Sequence, residues 1–315
     1  MCSKWVDSSQ HTVKIEENMK SLKITNLELN EERVLKKIKS NFDKISPYFY
    51  KMNLEWQIDA YSVFKDIDKY IILIYLINKD FDFHNRNNIN ISFENFYKDK
   101  TLKINKINLS NISNDLNIPK ETTRRKIIEL QKLGVIIKND KKIYIDNAFF
   151  LNSKPIKTVQ NASILLSQIN KIFYNNKLIN TYFSSTEINS LIKKKFTIIW
   201  YNYYKFILLY FNSWKKYLGD LEAFIIVTTI GANSNHDSIK NLFGIKTYLE
   251  QWRKEMQKDK ETGINAMSLS EITGIPRSTV IRKVKYLIKM NIISMNKKKL
   301  LNIKLNNKTK KEVYK

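Results

Sequence analysis

Two stretches of the chain carry the same rhythm of apolar and polar positions. In the later one Val280, Val284, Leu287 and Ile288 recur at helical spacing, which lays an apolar stripe along one face. Arg277, Ser278, Thr279, Arg282 and Lys283 fall off that stripe. In the earlier one the stripe is Thr123, Ile127, Leu130 and Gln131, and the outward set is Lys120, Glu121, Thr122, Arg124, Arg125 and Lys126. A short helix is expected before each. In the later copy a Ser268–Glu271 capping box starts it and Gly274 ends it. Asn117 occupies the place of Gly274 in the earlier copy, and asparagine is the other residue that tolerates left-handed backbone. Ile275 is expected to point inward. Pro276, like Pro119, falls in the first turn of the next helix, where its missing N–H costs nothing. After each helix, "NIISMNKKKLLNIKL" and "GVIIKNDKKIYID" read as strand, turn, strand. The turns are basic: Lys297, Lys298 and Lys299 in one, Lys138, Lys141 and Lys142 in the other.

The repetition extends upstream. "VFKDIDKYIILIYLIN" from Val63 aligns with "YLGDLEAFIIVTTIGA" from Tyr217, an offset of 154, whereas Asn117 aligns with Gly274 at 157. A small length difference in one loop accounts for the drift, and a tandem duplication of roughly 110 residues accounts for most of the chain. Each unit predicts an aromatic helix (near Tyr48 to Phe64; near Phe196 to Leu218). An apolar helix follows, starting by Asp66 or Asp220, where negative charge suits the positive end of the helix dipole. A spacer with a short helix around Phe93–Phe96 or Leu249–Trp252 comes next, then the two helices and the hairpin. The expected fold class is mainly α with small β-hairpins. The expected division is an N-terminal extension (1–40), a first unit (41–150), a linker (151–190), a second unit (191–307) and a basic tail (308–315). Pro47 is placed ahead of the first aromatic helix and Pro155 in the linker. The two aromatic helices are expected to pack against each other across a pseudo-twofold axis, with a ligand pocket as the alternative use of those rings.

Charge sharpens this picture. Lys and Arg number 55 against 30 Asp and Glu, a formal net charge of +25, which attracts polyanions. Abundant Lys, Asn and Ile also fit an AT-rich coding sequence, but that bias alone leaves the shortage of acids unexplained. One cysteine, Cys2, excludes an internal disulfide framework and points to a reducing, cytoplasmic setting. No apolar run resembles a signal peptide. "FTIIWYNYYKFILLYF" is too short and too polar for a membrane span.

Catalytic chemistry finds little to stand on. His11, His84 and His236 form no ligand cluster with cysteine, and the six glycines build no phosphate-cradling loop. Asp66/Asp68 and Asp80/Asp82 could hold a metal, but helix capping and loop solvation explain them better. No enzyme activity, metal or cofactor is expected.

"LSEITGIPRSTVIRKVKYLIKMNII" and "ISNDLNIPKETTRRKIIELQKLGVI" resemble the winged helix-turn-helix regulators, nearest the MarR type. The likeness covers about 40 residues per copy and implies two tandem winged helix-turn-helix domains joined by long aromatic helices. It further implies that Arg277, Ser278, Thr279 and Arg282, and in the first copy Lys120, Glu121, Thr122 and Arg125, face DNA. Arg124 and Lys283 are counted with the DNA-binding residues, and the lysine-tipped hairpins would add phosphate contacts. The function so implied is sequence-specific double-stranded DNA binding by a nucleoid-associated transcriptional regulator acting as an intramolecular pseudo-dimer. Plasmid-type replication initiators, which also resemble tandem winged helices, and protein-docking winged helices are the alternatives. Target site, effector and any further homodimer stay open.

Overall fold

The computed structural model describes residues 30–98, 101–104, 108–139, 142–146, 155–234 and 263–304. The chain is mainly helical with a few short antiparallel strands. In the first unit these are α1 (Glu31–Ser40), α2 (Phe42–Phe64), α3 (Ile67–Arg86), α4 (Phe93–Phe96), β1 (Thr101–Ile104), α5 (Leu109–Leu116), α6 (Lys120–Lys132), β2 (Ile136–Asn139) and β3 (Lys142–Asp146). Then come α7 (Ile156–Asn175), α8 (Ser185–Lys194), α9 (Phe196–Leu218), α10 (Leu221–Ser234), α11 (Ala266–Thr273), α12 (Arg277–Lys289), β4 (Ile293–Met295) and β5 (Leu301–Ile303).

The packing centres on α3 and α10. Every residue from Ile71 to Ile77 on α3 is buried, as is every residue from Ala223 to Ile230 on α10. A helix that is apolar all round must be surrounded. Part of the cover comes from each helix's own unit: α5, α6 and β1 pack on α3, and α11, α12 and β5 pack on α10. The rest comes from the other unit, because α9 lies along α3 and α2 lies along α10. One continuous apolar core therefore runs through both units.

This modifies the expected pairing of the aromatic helices. Their rings do meet, at Phe49–Tyr210 (5.7 Å, edge-to-face) and Trp56–Phe211 (5.1 Å). Yet α9 lies mainly against α3, the apolar helix of the opposite unit, and α2 packs on both α7 and the opposite unit's α10. Phe81 of α3 stacks on Tyr204 of α9 with planes 8° apart. Polar bonds lock the same seam. Lys215 reaches Asp68 at 2.7 Å, the Tyr201 hydroxyl donates to Asp82 at 3.0 Å, and Ile91 exchanges bonds with Thr197 through N–H···Oγ1 (3.0 Å) and N–H···O (3.2 Å).

Several expectations need correction. The expected linker carries two packed helices from residue 155 onward: α7 packs against α2 and α8, and α8 begins at a true capping box formed by Ser184 and Glu187. Ser268 is not the N-cap of α11. Asn265 takes that place by accepting from Met267 and Ser268 N–H, as Asn108 caps α5 in the repeat. Pro47 sits inside α2, which starts at Phe42, rather than ahead of it. Pro119 and Pro276 stand at the N-cap, one position before the first turn. A strand ahead of α5 went unforeseen: β1 joins the hairpin in the order β1-β3-β2, and Ile264 makes the equivalent bridge to Leu301 in the second unit. The short helix around Phe93–Phe96 is present, whereas Leu249–Trp252 lie outside the described residues.

Two measurements probe this core. Trp200→Ala removes a side chain that is 1% exposed and should cost about 3–5 kcal/mol. Calorimetry should show a single transition moving to lower temperature, and two separating transitions would contradict a shared core. Gln57 is fully buried, and neither of its amide side-chain atoms is hydrogen-bonded. Gln57→Met should therefore stabilise the fold by about 1–2 kcal/mol, since an unsatisfied buried amide keeps its full desolvation cost. A lowered melting temperature would show that the amide has a partner in solution.

Candidate nucleic-acid interface

The turn between the two short helices is built on the same plan in both units. Asn117 (φ 49°) and Gly274 (φ 69°) adopt the left-handed conformation that stops the first helix. Ser113 Oγ then donates to the Ile118 carbonyl, and Ser270 Oγ to that of Ile275, each at 2.7 Å. Ile118 and Ile275 are buried beneath the turn, as expected for Ile275. The carbonyls of Pro119 and Pro276 accept the first bonds of α6 and α12, from Thr123 and Val280. Those helices end alike too. Gly134 (φ 73°) and Asn291 (φ 56°) are left-handed, and Val135 and Ile292 return their N–H groups to Leu130 and Leu287.

The inner faces of α6 and α12 follow the expected stripes. Thr123, Ile127 and Leu130, and Val280, Val284 and Leu287, are buried, with Gln131 and Ile288 at the margin. Thr123 tolerates its apolar slot because its hydroxyl donates to the Ile118 carbonyl at 3.3 Å.

One lysine per unit fixes the orientation of this helix. Lys126 bonds Asp66, the N-cap of α3, and Lys283 bonds Asp220, which precedes α10. Both side chains are only 13% exposed. Glu129 lies 3.9 Å from Lys126 and 3.4 Å from Lys69, and Glu222 lies 3.6 Å from Lys283. Burial raises the Glu222 carboxyl above the usual range, and Lys283 only partly offsets this. Each aspartate therefore does two jobs, closing a helix N-terminus and anchoring the neighbouring helix. This corrects the assignment of Lys126 and Lys283 to the outer face: both are held inside, and their charges are already matched.

The remaining residues lie outward. Lys120, Glu121, Arg124 and Arg125 are exposed on α6 and Thr122 is half-buried; Arg277, Ser278 and Arg282 are exposed on α12 and Thr279 is half-buried. Arg124 pairs with Glu121 at 3.1 Å and Arg125 with Glu129 at 3.8 Å. In the second hairpin Asn296 shapes the turn, accepting from Leu300 N–H on its side chain and from Lys299 N–H on its carbonyl. Lys297, Lys298 and Lys299 are exposed there. In the first hairpin Lys138 and Lys142 belong to β2 and β3, while Lys141 lies outside the described residues. The acids considered for metal binding are engaged elsewhere: Asp66 and Asp68 as above, Asp80 with His84 at 3.1 Å, and Asp82 with Arg86 at 2.6 Å. His11 and His236 lie outside the described residues. No described helix is long and apolar enough to cross a membrane.

What the arrangement offers chemically is two helix ends that present guanidinium, ammonium and hydroxyl groups at the surface, each on a helix that leads into a hairpin. Comparison with protein-family models, with curated protein sequences and with solved structures returned no match.

The lysine anchors yield a test. Lys283→Met strips Asp220 and Glu222 of their partner and should cost about 1–3 kcal/mol, less than for a fully buried pair because both acids are partly solvated. Thermal denaturation should show that loss with nucleic-acid affinity unchanged at temperatures where the variant is folded. A variant of wild-type stability would refute the anchoring role.

Proposed function

We propose that this chain binds double-stranded DNA in a sequence-specific manner as a transcriptional regulator. Each unit acts as a winged helix-turn-helix module, and the two together act as an intramolecular pseudo-dimer. The observation that carries this reading is the paired exposure of cation-bearing helices. In both units a helix starts at a tight turn, buries one face, is oriented by a lysine–aspartate anchor, and leaves its N-terminal basic and hydroxyl side chains outward. A single helix fits the B-DNA major groove, where arginine reads guanine and serine or threonine reads either base type. The net charge of +25 supplies the long-range attraction to phosphate. The shared core supports the pseudo-dimer, because it holds both helices on one body.

The test is fluorescence anisotropy with a random 30-bp duplex across a salt series, for the wild type and for Arg277→Ala/Arg282→Ala. Wild-type affinity should fall steeply with salt. The double variant should bind more weakly, its slope shallower by about 0.9 for each phosphate that is no longer neutralised. Absence of salt-dependent binding by the wild type, even at low ionic strength, would sink the DNA reading and leave these surfaces as candidates for protein docking.

A further inference from the structure

The two outward helices differ in what their cations already touch. α12 carries five basic residues and no acid. Only Lys283 is tied down; Arg277, Arg282, Lys285 and Lys289 are exposed and have no acidic partner among the described residues. α6 also carries five basic residues, but with Glu121 and Glu129 among them. There Arg124 is engaged by Glu121, Arg125 by Glu129 and Lys126 by Asp66.

Glu121 stands apart from the other acids near these helices. Its side chain is 80% exposed in the first turn of α6, on the outward face, beside a basic helix end. Glu129 and Asp66 are needed inside, where they hold Lys69 and Lys126, whereas Glu121 holds only Arg124. A carboxylate there opposes any phosphate that approaches. The DNA backbone offers it no hydrogen-bond donor, because phosphate and deoxyribose carry only acceptors along the duplex. The donors in the major groove are the base-edge amines N4 of cytosine and N6 of adenine, and cytosine N4 is the usual partner of a carboxylate. Arg124, one turn along and 3.1 Å from Glu121, carries the complementary fork for guanine O6 and N7.

Building on the DNA-binding reading, we propose that the units divide the work and that Glu121 determines specificity. α12 supplies most of the electrostatic grip, through its four uncommitted cations. α6 discriminates, because its carboxylate weakens binding on every duplex and is compensated only where a cytosine amine meets it and Arg124 turns to a guanine edge. The first unit thus reads a G·C-containing step within the site.

The experiment compares full-length wild type, Glu121→Gln, Arg124→Ala and the Arg124→Ala/Glu121→Gln double variant. Each is titrated against a random duplex over a salt series and against the sequence that the wild type selects from a randomised pool. Glu121→Gln should bind the random duplex more tightly, with a salt slope steeper by up to about 0.9 as Arg124 is released to phosphate. Its preference for the selected site should fall, and the gain on random duplex should shrink when Arg124 is absent. Unchanged or weaker binding of Glu121→Gln to random duplex overturns the inference. So does tighter binding with undiminished preference, since the carboxylate would then be a repulsion without a reading role. These outcomes are separable from failure of the underlying reading. If Arg277→Ala/Arg282→Ala loses affinity while Glu121→Gln changes nothing, DNA binding stands and the division of work falls. If the wild type shows no salt-dependent binding, both fall.

Discussion

A helix segment buried all round cannot lie at the surface, and two of the described helices, α3 and α10, carry one. α3 and α10 are buried along successive residues, so each needs cover on opposite sides, and part of that cover comes from the other unit. The duplicated sequence meets this constraint by exchange: the aromatic helix of each unit covers the apolar helix of the other. Large rings suit that role. They fill wide gaps between helices that cross units, and Tyr and Trp tolerate a boundary that is partly polar. The bonds from Tyr201 to Asp82 and from Lys215 to Asp68 lie along this seam and fix its register. Separating the units would expose both central helices, so the duplication yields one folding unit despite its two-part sequence.

Within that frame, the copies preserve backbone devices more strictly than side-chain identity. Asn108 and Asn265 cap, Ser113 and Ser270 brace the turn, and Asn117 and Gly274 both supply a positive φ although they differ chemically. Lys126 and Lys283 anchor to acids at corresponding helix starts. Side chains differ on both faces of α6 and α12: outside, Glu121 against Ser278 and Arg124 against Ile281, and inside, Ile127 against Val284. Thr123 against Val280 marks the limit of tolerance inside: a buried hydroxyl is accepted because the Ile118 carbonyl lies within reach.

Much of this was legible from spacing alone. The apolar stripes, the left-handed stop at Asn117 and Gly274, the hairpins and the acids at helix starts are local features, set by a residue and its near neighbours. What escaped were features decided at a distance. β1 is four residues long and reads as spacer until its partner β3 is known. The stretch 151–190 looks like a linker because Pro155 and small polar residues open it, yet Val159, Ala162 and Leu165 face inward on α7 and find α2. Ser268 and Glu271 have capping-box spacing, but Asn265 takes the cap first. Lys283 looked like a surface cation because its helical position is outward by pattern. Only the approach of Asp220, 63 positions away, turns it inward.

That last error bears on how charge should be read in such helices. A count of basic residues ranks α6 and α12 as equals, with five each. The structure separates cations committed to the fold from those left for a partner, and by that measure the helices are unlike. A committed cation contributes to stability and little to association, because a partner phosphate must first displace its carboxylate. An uncommitted one contributes to association with full weight and raises the repulsive energy of the free protein. On the proposed DNA-binding reading, the shared core matters for binding as well as folding. Because both helices ride on one body, contact by the strongly cationic α12 brings α6 to the same ligand without the ordering cost of a flexible tether. A weakly attractive helix can therefore act as a reader: the grip is supplied elsewhere, and its own small differences between sites decide the outcome.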